Sequence, residues 1–259
     1  MASSWQHILE SLPPITLEEM KSVKLMNRID SKFLSSIDLL PQLLADAKNE
    51  GYSVQVIEDN VRLASYDTWY YDTPELIMYL RHHDKQLRRQ KIRVRQYVDS
   101  DLMFLEIKNK TNTGRTKKKR RSLPSLEFPQ QLLSSLEQET ADFLLERSWY
   151  DPETLIPQVR TQFKRITLVN QEKTERLTID TDLHWTNLQA GETFCFDKLM
   201  VIELKQDGHI QSKMREILLN LRIKSIKMSK YCMGVALTHN EVKHNRFLPK
   251  IRTIEKLLE

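Results

Sequence analysis

Cysteine and glycine are both scarce in this chain of 259 residues, at 2 and 5 copies. Two cysteines, Cys195 and Cys232, exclude a disulfide framework and make no zinc-ligand pattern, so two reduced thiols in a cytoplasmic protein are expected. With 5 glycines and 9 prolines, low-complexity disorder is excluded as well. No apolar run approaches the roughly 18 residues that a membrane-spanning helix needs. Met1 to Glu10 has neither a basic start nor a long apolar stretch, so no secretory signal is expected. P-loop, Gly-x-Gly-x-x-Gly and His-Glu-x-x-His patterns are all missing, and no Ser/His/Asp set can be picked out. His82 and His83 are adjacent; neighbours on a helix do not share a face, which makes them a poor two-histidine metal site.

Charge is plentiful, at 29% of residues, against 40% hydrophobic residues that suffice for a core. The net charge of +5 hides its distribution: Arg81 to Arg121 holds fifteen Lys/Arg against four Asp/Glu, leaving a net −6 on the other residues. Such concentration argues for an anionic partner bound at one place.

The hydrophobic pattern predicts a capping box at Thr16 and Glu19 opening a helix over 16–26, and an extended segment Arg28 to Phe33. A helix capped by Ser36 runs through Leu39, Leu40, Leu43, Leu44 and Ala47 to Gly51. Strands are predicted at Tyr52 to Ile57, Leu63 to Tyr71, Lys91 to Tyr97, Leu102 to Lys110 and Lys117 to Leu123. Thr111 to Gly114 is a loop within that series. Pro74 stands at a first helical position before a helix Leu76 to His83. A helix over 130–150 is followed by strands Val159 to Val169, Glu175 to Thr181 and Lys198 to Lys205. Then come a helix Ser212 to Asn220, a last strand or strand–helix junction at Lys227 to Leu237, and a terminal helix over 249–258. About eight strands in adjacent antiparallel pairs, with helices between, give an α+β fold with one large antiparallel sheet or barrel. No linker divides the chain, so a single domain is expected, with its core over about 16–240.

The strands carry a repeated doublet: Arg93-Val94-Arg95, Glu106-Ile107-Lys108 and Glu203-Leu204-Lys205. Residues i and i+2 of a strand share a face, so each doublet puts two charges on one side of the sheet. One such strand is ordinarily a solvated face. But Arg89, Lys91, Arg93, Arg95, Lys108, Lys110, Lys118 and Arg120 lie on neighbouring strands with few acids among them, and like charges across a sheet repel. Phosphate is the natural compensating ligand. Glu106 and Glu203 would repel phosphate unless a divalent cation bridges them, as Mg²⁺ or Mn²⁺ does with carboxylate, phosphate and water oxygens. The alternative for each is an ion pair with a neighbouring lysine. The run Lys117 to Arg121 also allows a non-specific nucleic-acid contact or a solvated loop.

These segments resemble the VTC domain, the catalytic domain of vacuolar transporter chaperone polyphosphate polymerases and their bacterial relatives. The resemblance runs through Arg28-x-Asp30-x-Lys32-Phe33, Tyr71-Asp72-Thr73-Pro74, Tyr79 and His82-His83. It continues through Arg89-x-Lys91-Ile92-Arg93-Val94-Arg95-x-Tyr97, Leu105-Glu106-Ile107-Lys108 and Phe163-x-Arg165. Arg176-Leu177-Thr178-Ile179-Asp180, Glu203-Leu204-Lys205 and Ser229-Lys230-Tyr231 complete it. It implies the triphosphate tunnel fold, an eight-stranded antiparallel barrel with a charged lining turned inward. It also implies an ATP-dependent polyphosphate polymerase using Mn²⁺ or Mg²⁺, with ATP and inorganic polyphosphate as partners and no specific nucleic acid. By matching positions, Arg93, Arg95, Lys108, Arg165 and Arg176 would be catalytic. Lys32, Lys91, Lys118, Arg120, Lys205, Lys227 and Lys230 would bind substrate, Glu203 would hold metal, and Glu106 is the second metal candidate.

Phe163 stands where the family often has Tyr, and neither the yeast-type regulatory SPX domain nor membrane helices are expected. The wider tunnel superfamily includes triphosphatases, adenylate cyclases and thiamine-triphosphatases, typically with Glu-x-Glu-x-Lys near the N-terminus. Here Arg28 to Phe33 has one acid, Asp30, which favours a polyphosphate-handling tunnel. A tunnel-type inorganic or nucleoside triphosphatase, and a non-catalytic polyphosphate- or nucleic-acid-binding module, are the rival readings.

Overall fold

Alternation of charged and aliphatic residues is what lets one curled sheet organise this chain. The computed structural model describes residues 4–23, 28–113, 116–124, 128–208 and 210–259. The N-terminal part runs α1 (Ser4–Ser11), β1 (Pro14–Thr16), α2 (Leu17–Met20), β2 (Arg28–Ser36), α3 (Leu40–Asn49), β3 (Ser53–Val56), β4 (Ala64–Asp72) and α4 (Ile77–His83). The middle holds β5 (Arg89–Tyr97), β6 (Leu102–Lys110), β7 (Thr116–Leu123), α5 (Gln138–Arg147), β8 (Ile156–Val169) and β9 (Glu175–Asn187). Last come β10 (Thr193–Phe196), β11 (Leu199–Asp207), α6 (Lys213–Asn220), α7 (Lys230–Thr238) and α8 (Leu248–Leu258). Among the described residues no helix is long and apolar enough to cross a membrane.

Eight strands form the main path, in the order β2-β11-β9-β8-β4-β5-β6-β7. Every neighbouring pair on it is antiparallel. The expected strand count and direction are therefore present. Closure is not: among the described residues β2 and β7 end the path without pairing to each other. The sheet is a barrel-like trough with an open seam. Three short strands attach outside the path, β1 parallel to β3, β3 to β8, and β10 to β9.

The aliphatic member of each doublet points outward and packs under helices. Ile166, Leu168, Leu177, Ile179, Ile202 and Leu204 meet Leu40, Leu43, Leu44 and Ala47 of α3 and Met214, Ile217 and Leu218 of α6. Farther round, Ile92, Val94, Leu105 and Ile107 pack with Leu132, Phe143 and Leu144. Each buried aliphatic side chain contributes roughly 1.5–3 kcal/mol. That outer burial is what holds the charged residues on the concave side.

The concave face is not charged along its whole length. β9 contains a bulge: Thr181 pairs with Lys164 and His184 with Gln162, and Asp182 between them takes φ +50. One extra residue shifts the inward parity. Arg176, Thr178 and Asp180 line one half; Leu183 and Trp185 enter an apolar cluster in the other half. α7 lies across that apolar half. Gly234 allows the approach, since a Cβ there would sit 2.6 Å from both Trp185 Cδ1 and Val159 Cγ1. The Trp185 indole N–H donates to the Lys230 carbonyl at 2.9 Å.

Several expected elements differ. The capping box at Thr16 and Glu19 is present, but its helix is only Leu17–Met20; residues 24–26 of the expected helix, like Gly114 of the expected loop, lie outside the described residues. Lys227 to Leu237, expected as a strand or junction, is helix α7 from Lys230, capped by the Ser229 hydroxyl accepting from the Cys232 N–H. The helix expected over 130–150 is a 3₁₀ turn at Leu133–Ser135 followed by α5. Pro74 lies in a turn before α4, whose first amides are bound by the buried Asp72 carboxylate, 2.9 Å from the nitrogens of both Met78 and Tyr79. α1 and β10 were not anticipated.

Candidate functional site

Strand register sorts the inward side chains into rows. On β5, β6 and β7 the rows are Arg89–Lys110–Thr116, Lys91–Lys108–Lys118 and Arg93–Glu106–Arg120. Across β8, β9, β11 and β2 they are Arg165–Asp180–Val201–Leu34 and Thr167–Thr178–Glu203–Lys32. A third row, Arg176–Lys205–Asp30, crosses β9, β11 and β2. Lys32, Lys91, Arg93, Glu106, Lys108, Lys118, Arg120, Arg165, Arg176, Glu203 and Lys205 thus fall into aligned rows on one concave surface; Arg95 pairs with Phe104 farther along β5 and β6, and Lys227 and Lys230 lie off the strands, before and at the start of α7.

Besides Asp30, which pairs with Arg28 at 2.6 Å, three carboxylates sit in this field, each between two cations. Glu106 accepts from Arg93 Nε at 2.6 Å and is also paired with Lys118. Asp180 takes a two-pronged contact from Arg165, Nε to Oδ1 at 2.5 Å and Nη2 to Oδ2 at 2.8 Å, and a second contact from Lys230. Glu203 is 2.5 Å from Lys32 Nζ and 3.1 Å from Lys205 Nζ. Burial alone would raise all three pKa values. Neighbouring cations outweigh it and hold each carboxyl well below the usual range: Arg93 first for Glu106, Arg165 for Asp180 and Lys205 for Glu203. Asp180 is a site residue the sequence argument did not single out. Its signal was present, since it shares a face with Arg176 and Thr178.

Lys91, Arg95, Lys108 and Arg176 have no acid partner among the described residues. Arg95 donates from Nε to the Thr68 hydroxyl at 3.0 Å. Lys108 has no ion pair, and Arg93, burial and Arg95 push its pKa well below the ordinary lysine value. Arg176 leaves its buried Nε without a hydrogen-bond partner. Burial pushes the Lys205 ammonium down to about 8, against the pull of Glu203. Lys91 reaches the Ser229 hydroxyl at 2.7 Å, so the start of α7 belongs to the same wall. Lys118, Arg120 and Lys227 are exposed; Arg120 lies over the Phe104 ring at 4.4 Å.

An aromatic floor lies under Arg95 and under Arg165 and Lys230, the two cations that clasp Asp180. Tyr66 and Phe163 stack with centroids 5.1 Å apart. Arg165 lies 4.8 and 5.2 Å from the two rings, Arg95 5.4 and 5.7 Å, and Lys230 4.5 Å from Phe163. Ring faces attract cations without bringing a negative charge that would repel a phosphate. Phe163 serves here by its ring alone; the hydroxyl of a tyrosine would add nothing to that attraction. Tyr70 accepts from Arg93 Nη1 at 3.3 Å, and Arg93, Arg95, Lys91 and Lys230 outweigh its burial to lower its pKa.

The two candidate metal ligands differ. In both, the carboxylate oxygens stand in ion pairs, with Arg93 and Lys118 for Glu106 and with Lys32 and Lys205 for Glu203, but the Glu106 side chain is 0% exposed. Glu203 is 21% exposed, and opposite it in register Thr178 has a buried hydroxyl with no partner. That donor set fits a hard cation that brings most of its oxygens as phosphate and water. Among the described residues no group of three or more His, Cys, Asp or Glu gathers to form a self-sufficient metal site.

A family model described as the VTC domain matches residues 27–239. Among solved structures, HpAC1 from Hippeastrum, an adenylyl cyclase candidate with a dominant triphosphatase activity, superposes with a TM-score of 0.52 and 14% identity, covering 83% of this chain and 98% of that one. An adenylate cyclase candidate from Bacillus halodurans gives a TM-score of 0.50 and 16% identity, covering 79% of this chain and 96% of that one. These likenesses establish the fold as that of the triphosphate tunnel proteins. No curated protein sequence matches.

Proposed function

The chain belongs to the VTC-domain family, and on that premise we propose that it is a cytoplasmic ATP-dependent polyphosphate polymerase, moving the γ-phosphate of ATP onto a growing chain of inorganic phosphate. The observation that carries this reading is the surplus of concave-face cations over the three clasped carboxylates. Lys91, Arg95, Lys108 and Arg176 have no acid partner, and they are spread along the rows rather than gathered at one point. The four residue steps from Arg89 to Arg93 already span about 13 Å of strand. A long polyanion is the ligand that such a line of charge fits.

In this reading Arg93, Arg95, Lys108, Arg165 and Arg176 surround the transferring phosphoryl group. Their work is positioning and neutralisation of charge, and the acceptor is already an anionic oxygen, so no protein nucleophile is needed. Lys32, Lys91, Lys118, Arg120, Lys205, Lys227 and Lys230 hold flanking phosphates. Mg²⁺ or Mn²⁺, held by Glu203 and the Thr178 hydroxyl, would supply further neutralisation at the phosphate oxygens. Glu106 is assigned to ion pairing, keeping Arg93 and Lys118 in place.

Incubation with ATP and Mn²⁺ or Mg²⁺ tests the proposal. Polymer accompanied by ADP is the expected result. Release of free phosphate without polymer would identify a triphosphatase instead, and tight polyphosphate binding without turnover a binding module.

A further inference from the structure

Cationic rows continue beyond Lys91 and Lys108, where no carboxylate answers them. Arg89 and Lys110 are the next pair on the same face of β5 and β6. Arg89 turns one guanidinium nitrogen to the Gln86 carbonyl at 3.0 Å. Lys227 precedes the Ser229 cap of α7, which Lys91 holds at 2.7 Å. The fourth component comes from α8, beyond the residues 27–239 that the family model matches.

The segment leading into α8 is fixed against α4 by specific contacts. Tyr79 donates to the Lys243 carbonyl at 2.9 Å, His83 Nε2 is 2.8 Å from Asn245 Oδ1, and Arg246 donates to the His83 carbonyl at 3.1 Å. The buried Phe247 ring packs against Tyr79, His82 and His83. Lys250 sits one turn on, 5.8 Å from the Phe247 centroid. Lys250 is therefore presented by a docked element.

Electrostatic coupling ties the group together. Lys110 is influenced by Arg89 and Lys227, and Lys250 by Lys85 and Lys227, with no carboxylate among the groups acting on either. None of Lys85, Arg89, Lys110, Lys227 and Lys250 has an ion pair among the described residues. His82, against which the Phe247 ring packs, is pushed down to about 2 by burial and by Lys91, Arg89, Lys250 and Lys110.

We propose that Arg89, Lys110, Lys227 and Lys250 form an outer polyanion site, continuous with the concave face, that binds a segment of linear polyphosphate lying beyond the transfer site. It rests on the polymerase reading for its ligand, but it stands on its own geometry. Its ligand is linear and phosphate-only: the rows lead into it end-on from the trough, its residues are Lys and Arg, and the ring beside Lys250, Phe247, is buried and offers no face on which a base would stack.

Equilibrium binding tests it without turnover. Tripolyphosphate and long-chain polyphosphate are titrated into the wild type and into the K110Q/K250Q double variant, at several salt concentrations. The wild type is expected to bind long chains at least about tenfold tighter than tripolyphosphate, and the variant to lose most of that excess. Tripolyphosphate affinity stays within about twofold, and the long-chain salt slope falls by roughly 1.4, two contacts at about 0.7 each. K110R/K250R restores the excess. Equal long-chain affinity in wild type and K110Q/K250Q, or an equal proportional loss for both ligands, overturns the site. Competition by single-stranded DNA as strong as that of polyphosphate of equal charge overturns the ligand assignment. Absence of polymer synthesis with the length-dependent binding intact would remove the polymerase reading and leave the site.

Discussion

Arg93 and Arg176 share the concave face, yet replacing each asks a different question. Arg93 is clasped to the fully buried Glu106. Its removal leaves a buried carboxylate with one cation, a change that costs several kcal/mol in stability, so loss of activity in Arg93→Ala mixes folding with chemistry. Arg176 has no ion pair and a free Nε. Arg176→Gln is expected to keep the melting temperature within a few degrees while lowering kcat/KM for polymer formation by about 10²-fold; an unchanged kcat/KM would remove Arg176 from the site. Lys205 sets a pH limit. With its pKa pushed down to about 8, its charge is full below that pH and is lost as pH rises through it. Tripolyphosphate affinity should weaken across that range, and Lys205→Arg, which does not deprotonate there, should flatten the limb. Titrations between pH 7 and 9.5 read the difference.

At the scale of elements, α7 is the part on which the concave face depends and the part least visible in the chain. Gly234→Ala pushes a Cβ against Trp185 and Val159, both fully buried. The expected destabilisation is about 1–3 kcal/mol, read as a lower midpoint in urea, with weaker phosphate binding because Lys230 and Ser229 move with the helix. Tyr231-Cys232-Met233-Gly234-Val235 is apolar on every side and buried. A run without polar positions has no period to betray a helix, and only the Ser229 cap marked it. By contrast β6 runs Leu102–Lys110 as its alternation predicts, and the charged rows of β5 and β6 were legible because period-2 patterning maps directly onto faces. β9 was read only to Thr181, because the bulge at Asp182 breaks that alternation. The pairing of each carboxylate with two cations, and the convergence of Arg95, Arg165 and Lys230 on Phe163, depend on strands distant in sequence and could not be read from any one of them.

Across the whole molecule, the three clasped carboxylates tie stability to acid. Glu106, Asp180 and Glu203 have folded pKa values below their unfolded values of about 4. Their contribution is complete above about pH 5 and is lost as pH falls through the folded values. Urea midpoints should therefore decline progressively below pH 5. Glu203→Gln, which leaves Lys32 and Lys205 unpaired, should flatten part of that decline; an identical profile would mean that the pair carries no linkage.

The seam between β2 and β7 bears on how a polymer gets in. A closed ring can be entered only by a free end, which must be found and threaded. A furrow can be straddled at mid-chain. Because the two terminal strands share no ladder among the described residues, the polymerase proposal carries the prediction that a phosphate chain blocked at both ends by bulky groups competes with ordinary polyphosphate for the protein; failure to compete would mean that entry is by a free end. If the polymerase proposal holds, lengthening would then be free to begin on any chain already lying in the groove.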